Sequence, residues 1–246
     1  MKKQKVREDR RPEEIRKIII ERGKIPGEGS VFIQAGNTKI NITVTIENKV
    51  PQFLKGSGEG WIKAQYWMHP RAVKEWKSIE MRIKDKRAIE ISRIIARALR
   101  AGVERKGLSE FTLLCDIEVL QADGSTRALA VTGASCAIYQ AINFMKKNRL
   151  VDVMPDFELI CGITAGKIGE EIYLDLTYEE DFKCDFDLNL FFSESGKLVE
   201  IQGTSEKRGI TLEKLNLMIE KAKEKTFEIF ETQKEFIKKF PYGEDI

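Results

Sequence analysis

The stretch Ile117-Glu118-Val119-Leu120-Gln121-Ala122-Asp123-Gly124-Ser125-Thr126-Arg127 contains the end of a strand pattern, a glycine turn and the start of a new element. Gly124 lets the backbone approach a guest closely, and the N–H groups of such a turn can converge on an anion. Ser125 and Thr126 add hydroxyl donors, and Arg127 adds a planar guanidinium that suits phosphate. We therefore predict an oxyanion-binding turn, whose guest is inorganic phosphate or the phosphate of a nucleic acid. The alternative is an ordinary turn with an exposed arginine.

Composition places the chain among globular proteins. Its 246 residues are 33% charged and 42% apolar, which is enough for one large domain or two small ones. The N-terminus lacks an apolar stretch, so we expect neither a signal peptide nor a membrane anchor. Four scattered cysteines without metal-site spacing fit a reducing cytoplasm. The chain contains a single histidine, His69, so a catalytic mechanism that depends on histidine would have to use that residue.

Hydrophobic patterning outward from the quoted stretch predicts an α+β fold, with a mixed β-sheet packed with helices. A basic N-terminal arm over residues 1–11 is expected to become ordered late or with a partner. The predicted strands are 16–21, 30–47 (a hairpin turning at Gly36-Asn37), 61–67, 111–120, 157–164, 171–178, 186–192 and 197–202. The predicted helices are 88–105, 133–147 and a C-terminal helix within 211–240, with Thr211 as its N-cap.

Charge is unevenly distributed although the net charge is only +3. Residues 71–106 hold twelve basic and five acidic side chains, which favours contact with nucleic-acid phosphate. Within them, the row Arg93, Arg97 and Arg100 is either a solvated helix face or a phosphate-contacting surface. Residues 152–187 hold eleven acidic and two basic side chains, which indicates either a divalent metal or a solvated face.

The acidic tract contains a second candidate site. Asp185, Asp187 and Asn189 alternate and would share one face of a strand, and Asp181 precedes them across a predicted turn. Oxygen ligands of this kind suit Mg²⁺ bound together with a substrate phosphate. The alternative is a solvated acidic edge strand that resists aggregation.

Several ordered segments together resemble the ribonuclease PH family, which includes the catalytic ring subunits of the exosome. The resemblance covers nearly the whole chain. Its motifs are Gly27–Val31, Gly36–Lys39, Pro51–Ile62, Tyr66, Met68, Pro70, Arg71, Arg87–Arg93, Leu120–Arg127, Thr132–Ala134, Glu179–Asp181, Asp187–Asn189 and Glu200–Thr204.

This resemblance implies a ribosomal-protein-S5-domain-2-like fold in a single ribonuclease PH-like domain spanning 1–246. It implies a phosphate-dependent 3′-to-5′ exoribonuclease, a tRNA nucleotidyltransferase type of enzyme, that trims RNA 3′ ends and releases nucleoside diphosphates. Precursor tRNA is the expected substrate. The implied assembly is a hexameric ring built as a trimer of dimers, in the cytoplasm and away from membranes.

The resemblance also assigns roles to individual residues. Gly124, Ser125, Thr126 and Arg127 fall on the family's phosphate-binding loop, and Arg87 falls on its active-site arginine, which contacts phosphate and RNA. Asp181 and Asp187 fall on the paired acids that bind Mg²⁺ or manage the proton. Arg71 is expected to face the RNA. Arg93 and Arg97 are expected to be mainly structural.

Two departures from the family pattern keep a second function open. Asp85-Lys86 replaces Gly-Gly before Arg87, and residues 72–86 lack the family's usual Arg-Asn-x-Arg-Glu run. The alternative function is a non-catalytic, RNA-binding ring subunit of an exosome-like assembly. Such subunits typically lose the arginine or the acids, so the joint presence of Arg87, Arg127, Asp181 and Asp187 favours the enzyme.

Overall fold

Two β-sheets and five helices make up the computed structural model, which describes residues 7, 9–83, 85–205 and 209–242. The strands are β1 Ile18–Arg22, β2 Gly29–Ala35, β3 Thr38–Glu47, β4 Trp61–Met68, β5 Thr112–Gln121, β6 Ile160–Ile168, β7 Glu171–Leu174, β8 Phe186–Ser193 and β9 Leu198–Ser205. The helices are α1 Ile79–Ile83, α2 Lys86–Ala101, α3 Thr126–Lys147, α4 Tyr178–Lys183 and α5 Leu212–Lys239.

The first sheet has the strand order β1-β2-β3-β5-β4 and is mixed, because β4 runs parallel to β5 while the other pairs are antiparallel. The hairpin of β2 and β3 turns at Gly36 and Asn37, as predicted. Along β5, Cys115, Ile117 and Val119 are buried, which confirms the predicted alternation. The second sheet has the order β7-β6-β8-β9 and is antiparallel throughout.

Helix α3 packs on β2 and β3 of the first sheet and on β6 of the second. Glycines permit this close packing. An alanine methyl group at Gly29 would overlap the carbonyl oxygen of Ala137, and one at Gly162 would lie 2.6 Å from the Cα atom of Ala128. By length and composition α3 is apolar enough to cross a membrane, but 83% of its most apolar window is buried inside the protein. It is therefore the central helix of the core.

The predicted α+β fold with a mixed sheet is confirmed, and a second, antiparallel sheet accompanies the mixed one. Two predictions about individual elements are wrong. Helix α3 begins at Thr126, seven residues before the predicted start at 133, because it is buried on several sides and lacks a clear apolar stripe. The predicted strand 171–178 ends at Leu174, and helix α4 follows it. A capping box, in which Thr177 and Glu180 each bond the other's backbone N–H, starts α4 and is visible in the sequence.

The C-terminal helix agrees with its prediction. Thr211 accepts a hydrogen bond from the N–H of Lys214 at 3.3 Å, and α5 ends at Lys239 before Phe240 and Pro241. Gln233 of α5 is fully buried and donates to the carbonyl oxygens of Thr132 and Ile160. These two hydrogen bonds join α5 to α3 and to β6.

Replacing Gly162 by alanine tests the close approach of α3 to β6. The added methyl group must displace backbone, so we expect the free energy of unfolding to fall by about 1–3 kcal/mol. Gly209→Ala is the matched control, because nothing lies within 4 Å of a methyl group added there. Urea unfolding of both variants measures the difference, and equal midpoints would contradict tight packing between α3 and β6.

Candidate active site

The predicted oxyanion turn is a tight loop between β5 and α3. Gly124 has φ +75° and Ser125 has φ +52°, so two successive residues adopt the left-handed conformation. Thr38 of β3 holds the loop from one side: its Oγ1 donates to the carbonyl oxygen of Gly124 at 2.9 Å and accepts from the N–H of Asp123 at 3.0 Å. The loop is therefore rigidly attached to the first sheet.

The second sheet holds the same loop from the other side. A methyl group at Gly124 would overlap the carbonyl oxygen of Leu176 and lie 2.5 Å from the carbonyl carbon of Thr177, so only glycine fits. The Ser125 hydroxyl donates to the carbonyl oxygen of Leu176 at 2.9 Å and lies 2.6 Å from Thr164 Oγ1. This hydroxyl is used within the protein, which corrects the prediction that it donates to phosphate.

Thr126 and Arg127 form the first turn of α3. The Tyr66 hydroxyl donates to Thr126 Oγ1 at 3.0 Å, so the hydrogen of the Thr126 hydroxyl group takes no part in that bond. Aligned peptide dipoles give the N-terminus of a long helix a partial positive charge, and its first N–H groups lack partners within the helix. The loop, this helix end and the Arg127 guanidinium together favour a bound anion.

Asp181 lies in the last turn of α4 and is exposed to solvent. Loss of solvation around its carboxyl group raises its pKa, and the positive charges of Arg127 and Arg87 act in the opposite direction. Both arginines are therefore within electrostatic reach of this carboxylate. Arg87 is exposed in the first turn of α2, where its N–H donates to Asp85, the helix N-cap, at 2.9 Å.

Asp187 of β8 lies opposite Gly166 of β6. Side chains of directly paired residues point to the same face of a sheet. A methyl group at Gly166 would overlap the Cys184 sulfur, so Asp187 is on the face that Cys184 and α4 cover. Burial raises the pKa of the Cys184 thiol to about 12, with further contributions from the negative charges of Asp181 and Asp187. The two predicted acids therefore lie close to the same thiol.

The rest of the predicted acidic group is dispersed. Asp185 precedes β8, ion-pairs with Lys167 at 3.6 Å and accepts from the N–H of Gly169 at 3.1 Å. Among the described residues, no cluster of three or more His, Cys, Asp or Glu side chains could hold a metal ion. The predicted acids therefore do not form a full set of carboxylate ligands for a metal within that part of the chain.

The structure also describes three other predicted basic residues, Arg71, Arg93 and Arg97. Arg71 is exposed after β4 and donates to the carbonyl oxygen of Lys74 at 2.8 Å. Arg97 pairs with Glu200 of β9 at 2.7 Å, which confirms its structural role. Arg93 is exposed, and its predicted structural role stays a prediction.

Sequence reasoning missed the arginines before β1. Arg7 and Arg10 were expected in an arm that becomes ordered late or with a partner, yet both side chains are buried and paired with acids of the chain. Residues 1–6 and Glu8 of that arm lie outside the described residues. Arg16 is also buried and bonded to Asp175. The available signal in the sequence was the group of closely spaced arginines next to Pro12. Arginines are seldom buried unless they are paired, and here the acidic partners come from elsewhere in the chain.

Comparison with known proteins shows the family to which the chain belongs. Residues 14–142 match the model of the 3′ exoribonuclease family, domain 1, and residues 158–225 match that of domain 2. The chain therefore belongs to the 3′ exoribonuclease family. Its similarity extends to the proteins named Ribonuclease PH from two strains of Tropheryma whipplei, Twist and TW08/27. Each is 42% identical over 215 residues, which cover 86% of this chain and 87% of the relative.

Solved structures show the same fold at low sequence identity. A chain of the Archaeoglobus fulgidus exosome with RNA bound to the active site has a TM-score of 0.76 and 20% identity, covering 90% of both chains. A chain of an archaeal exosome core has a TM-score of 0.74 and 18% identity, covering 92% of this chain and 89% of that one. The α+β fold expected from the sequence is thereby confirmed.

The buried thiols lead to a testable prediction. All four cysteines are buried, and burial raises the pKa of each thiol, to about 12 for Cys136 and Cys184. Because the thiolate is the reactive form, we expect no rapid reaction with an aromatic disulfide reagent at about pH 8 in the folded protein. Four thiols should react in guanidinium chloride. A fast reaction that disappears in Cys184→Ala would instead place a nucleophile between the two acids.

Proposed function

We propose that this member of the ribonuclease PH family shortens RNA from its 3′ end by phosphorolysis and releases nucleoside diphosphates. One observation carries the proposal: the oxyanion loop packs directly on the turn that begins α4, the helix of Asp181, and the charges of Arg87 and Arg127 oppose the rise in the pKa of that carboxyl group. Two cations, a helix N-terminus and paired acids are the groups that a reaction between two phosphates requires. The relatives named Ribonuclease PH support the same activity.

Inorganic phosphate is the proposed co-substrate, and the loop is its proposed binding site. The backbone N–H groups of Gly124, Ser125 and Thr126, the Thr126 hydroxyl and the Arg127 guanidinium would bind its oxygens. The loop is held by Thr38 on one side and Leu176 on the other, so these donors are already in place before phosphate arrives. Preorganised donors cost little reorganisation when charge develops in the transition state.

The proposed reaction breaks one bond and forms one. An oxygen of the loop-bound phosphate attacks the phosphorus of the last phosphodiester of the RNA, in line with the departing 3′ oxygen. The P–O3′ bond breaks, the last nucleotide leaves as a nucleoside 5′-diphosphate, and the 3′ oxygen of the shortened RNA takes up a proton. Arg87 is placed to stabilise the charge on the attacked phosphoryl group. Arg71 is proposed to contact the RNA further from the reacting bond.

Asp181 and Asp187 are the proposed acids. Mg²⁺ takes one or two protein carboxylates and completes its coordination with water and substrate phosphate, so this pair fits Mg²⁺ held jointly with substrate. When bound there, Mg²⁺ would supply charge neutralisation at the phosphates. The alternative role is proton transfer: with no metal bound, Asp181, whose pKa is raised by loss of solvation, is the proposed donor of the proton that the 3′ oxygen needs.

We also propose a particular RNA substrate and a particular assembly. Precursor tRNA is the proposed RNA, in the cytoplasm, and a hexameric ring built as a trimer of dimers is the proposed assembly. The structural neighbour described as having RNA bound to its active site supports an RNA substrate, and the neighbour described as an exosome core supports a ring.

The first test is phosphate dependence. The purified protein is incubated with a 3′-tailed RNA and Mg²⁺, with and without inorganic phosphate, and the released mononucleotides are identified. We expect nucleoside diphosphates only with phosphate. For Asp187→Asn we expect a kcat about 100-fold lower, because the neutral amide cannot bind Mg²⁺ as a carboxylate does. Monophosphates in either condition would indicate hydrolysis. RNA binding without release would indicate the non-catalytic ring subunit.

Arg127→Ala tests the phosphate site separately. Removing a charge-assisted donor should raise the KM for phosphate about tenfold or more, while RNA affinity changes little. Arg93→Ala is the control, because it removes an arginine of α2 that is exposed and has no proposed contact with phosphate, whereas Arg127 is half-buried. If RNA affinity fell in Arg127→Ala while the KM for phosphate stayed unchanged, the loop would be an RNA contact instead.

A further inference from the structure

Three arginines that precede β1 are buried behind α4. Arg7 is 4% exposed, and its Nε and Nη2 atoms donate to the two carboxylate oxygens of Glu180 at 2.5 and 2.8 Å. Its Nη1 atom donates to the carbonyl oxygens of Arg11, Pro12 and Glu14, at 3.0–3.2 Å. Glu180 is the residue before Asp181 and belongs to the capping box of α4. Arg7 therefore attaches the N-terminal segment directly to the helix that carries the proposed acid.

Arg16 joins the other two parts of the site. Its Nε and Nη2 atoms donate to the carboxylate of Asp175 at 2.8 and 2.7 Å, and its Nη1 atom donates to the carbonyl oxygen of Asp123 at 2.8 Å. Asp123 begins the oxyanion loop, and Asp175 begins the turn from β7 to α4. Arg10 adds a further bond to Asp175 at 3.0 Å. One guanidinium thus spans the phosphate side and the acid side of the site.

Asp175 adopts a conformation that needs outside support. Its φ of +52° lies in the left-handed region, which is unfavourable for a residue with a side chain, and it is 8% exposed. Burial alone would raise its pKa, but hydrogen bonds and charge from Arg16 lower the pKa overall, so the carboxylate stays ionised. The turn that it begins contains Leu176, whose carbonyl oxygen receives the Ser125 hydroxyl.

Stability is a weak explanation for this network. Three arginines share two buried carboxylates, because the further partner of Arg10, Asp9, is exposed. The buried part of the network therefore carries a surplus positive charge where desolvation is costly. Apolar side chains of similar volume would often stabilise a core as well or better. Bidentate arginine–carboxylate pairs do, however, set distance and orientation closely. Geometry is therefore the property that these buried charges supply.

We propose that Arg7 and Arg16 are positioning residues of the phosphorolytic site, which set α4 and its Asp181 against the oxyanion loop. Arg16 sets the distance between the loop and the turn, and Arg7 sets the orientation of α4. Neither side chain needs to touch substrate. This inference rests on the proposed function and adds the requirement that the buried N-terminal segment be in place for catalysis.

Arg16→Lys is the decisive variant, because lysine keeps the charge but cannot bond Asp175 and Asp123 together with one planar fork. We expect a kcat about 10- to 100-fold lower and a KM for phosphate several-fold higher, with RNA affinity within about twofold of the unmodified chain. Arg7→Lys should lower kcat with less effect on the KM for phosphate, because Arg7 contacts α4 and not the loop.

Two controls separate positioning from stability. Arg97→Lys changes the same kind of side chain in an Arg–Glu pair away from the site, and it should leave kcat and both affinities unchanged. Gly102→Ala destabilises the fold at the C-terminal end of α2, away from the site, because the added methyl group would lie 2.5 Å from the carbonyl oxygen of Glu158. Its activity per folded molecule should stay unchanged well below its unfolding temperature. Hydrogen exchange of the peptides covering 121–127 and 175–184 should accelerate in Arg16→Lys and not in Arg97→Lys.

Three other outcomes would contradict what is proposed. Unchanged kinetics in Arg16→Lys, with the unmodified chain active, would overturn this inference alone. A loss of folded protein in both Arg16→Lys and Arg7→Lys would assign the network to stability and overturn it as well. Failure of the unmodified chain to release nucleoside diphosphates would overturn the proposed function, and the inference with it.

Discussion

The close contact between the oxyanion loop and the turn from β7 to α4 is the constraint on which the site depends. Gly124 meets the backbone of Leu176 and Thr177 so tightly that no side chain fits between them. The loop continues the first sheet and the turn continues the second, so this contact joins the two sheets at one edge. Helix α3 begins at the same point, and its N-terminus therefore faces the space between the arginines and the acids.

Electrostatics at this edge is arranged in two layers. Outside, the charges of Arg87 and Arg127 act on the exposed Asp181, where the proposed site lies. Inside, buried arginines neutralise Asp175 and Glu180, so that these carboxylates stay ionised without competing for the outer arginines. Asp181 and Asp187 are left as the proposed acids of the site. Structural carboxylates and proposed functional ones therefore lie within a few residues of each other in the sequence.

Local patterns in the chain predicted many elements but not their arrangement. The hairpin at Gly36, the alternation along β5 and the cap of α5 at Thr211 depend on neighbours within one turn or one strand, which the sequence displays directly. The start of α3 was placed too late, because a helix buried on several sides has no polar face to mark its period. Helix α4 was missed because its six residues are too few for periodicity, although its capping box was visible.

The sequence by itself determined the types of residue that the chemistry needs: an oxyanion loop with Arg127, the arginine Arg87, and the acids Asp181 and Asp187. Only the tertiary structure decided which of these side chains are available. In the folded protein the Ser125 hydroxyl and Glu180 form bonds within the chain, and Asp185 pairs with Lys167. Arg7 is buried, although it belongs to a segment that was expected to become ordered late or with a partner. These outcomes depend on contacts between residues that are distant in the chain, 51 positions apart for Ser125 and Leu176 and 173 for Arg7 and Glu180. No local pattern of charge or hydrophobicity encodes such partners.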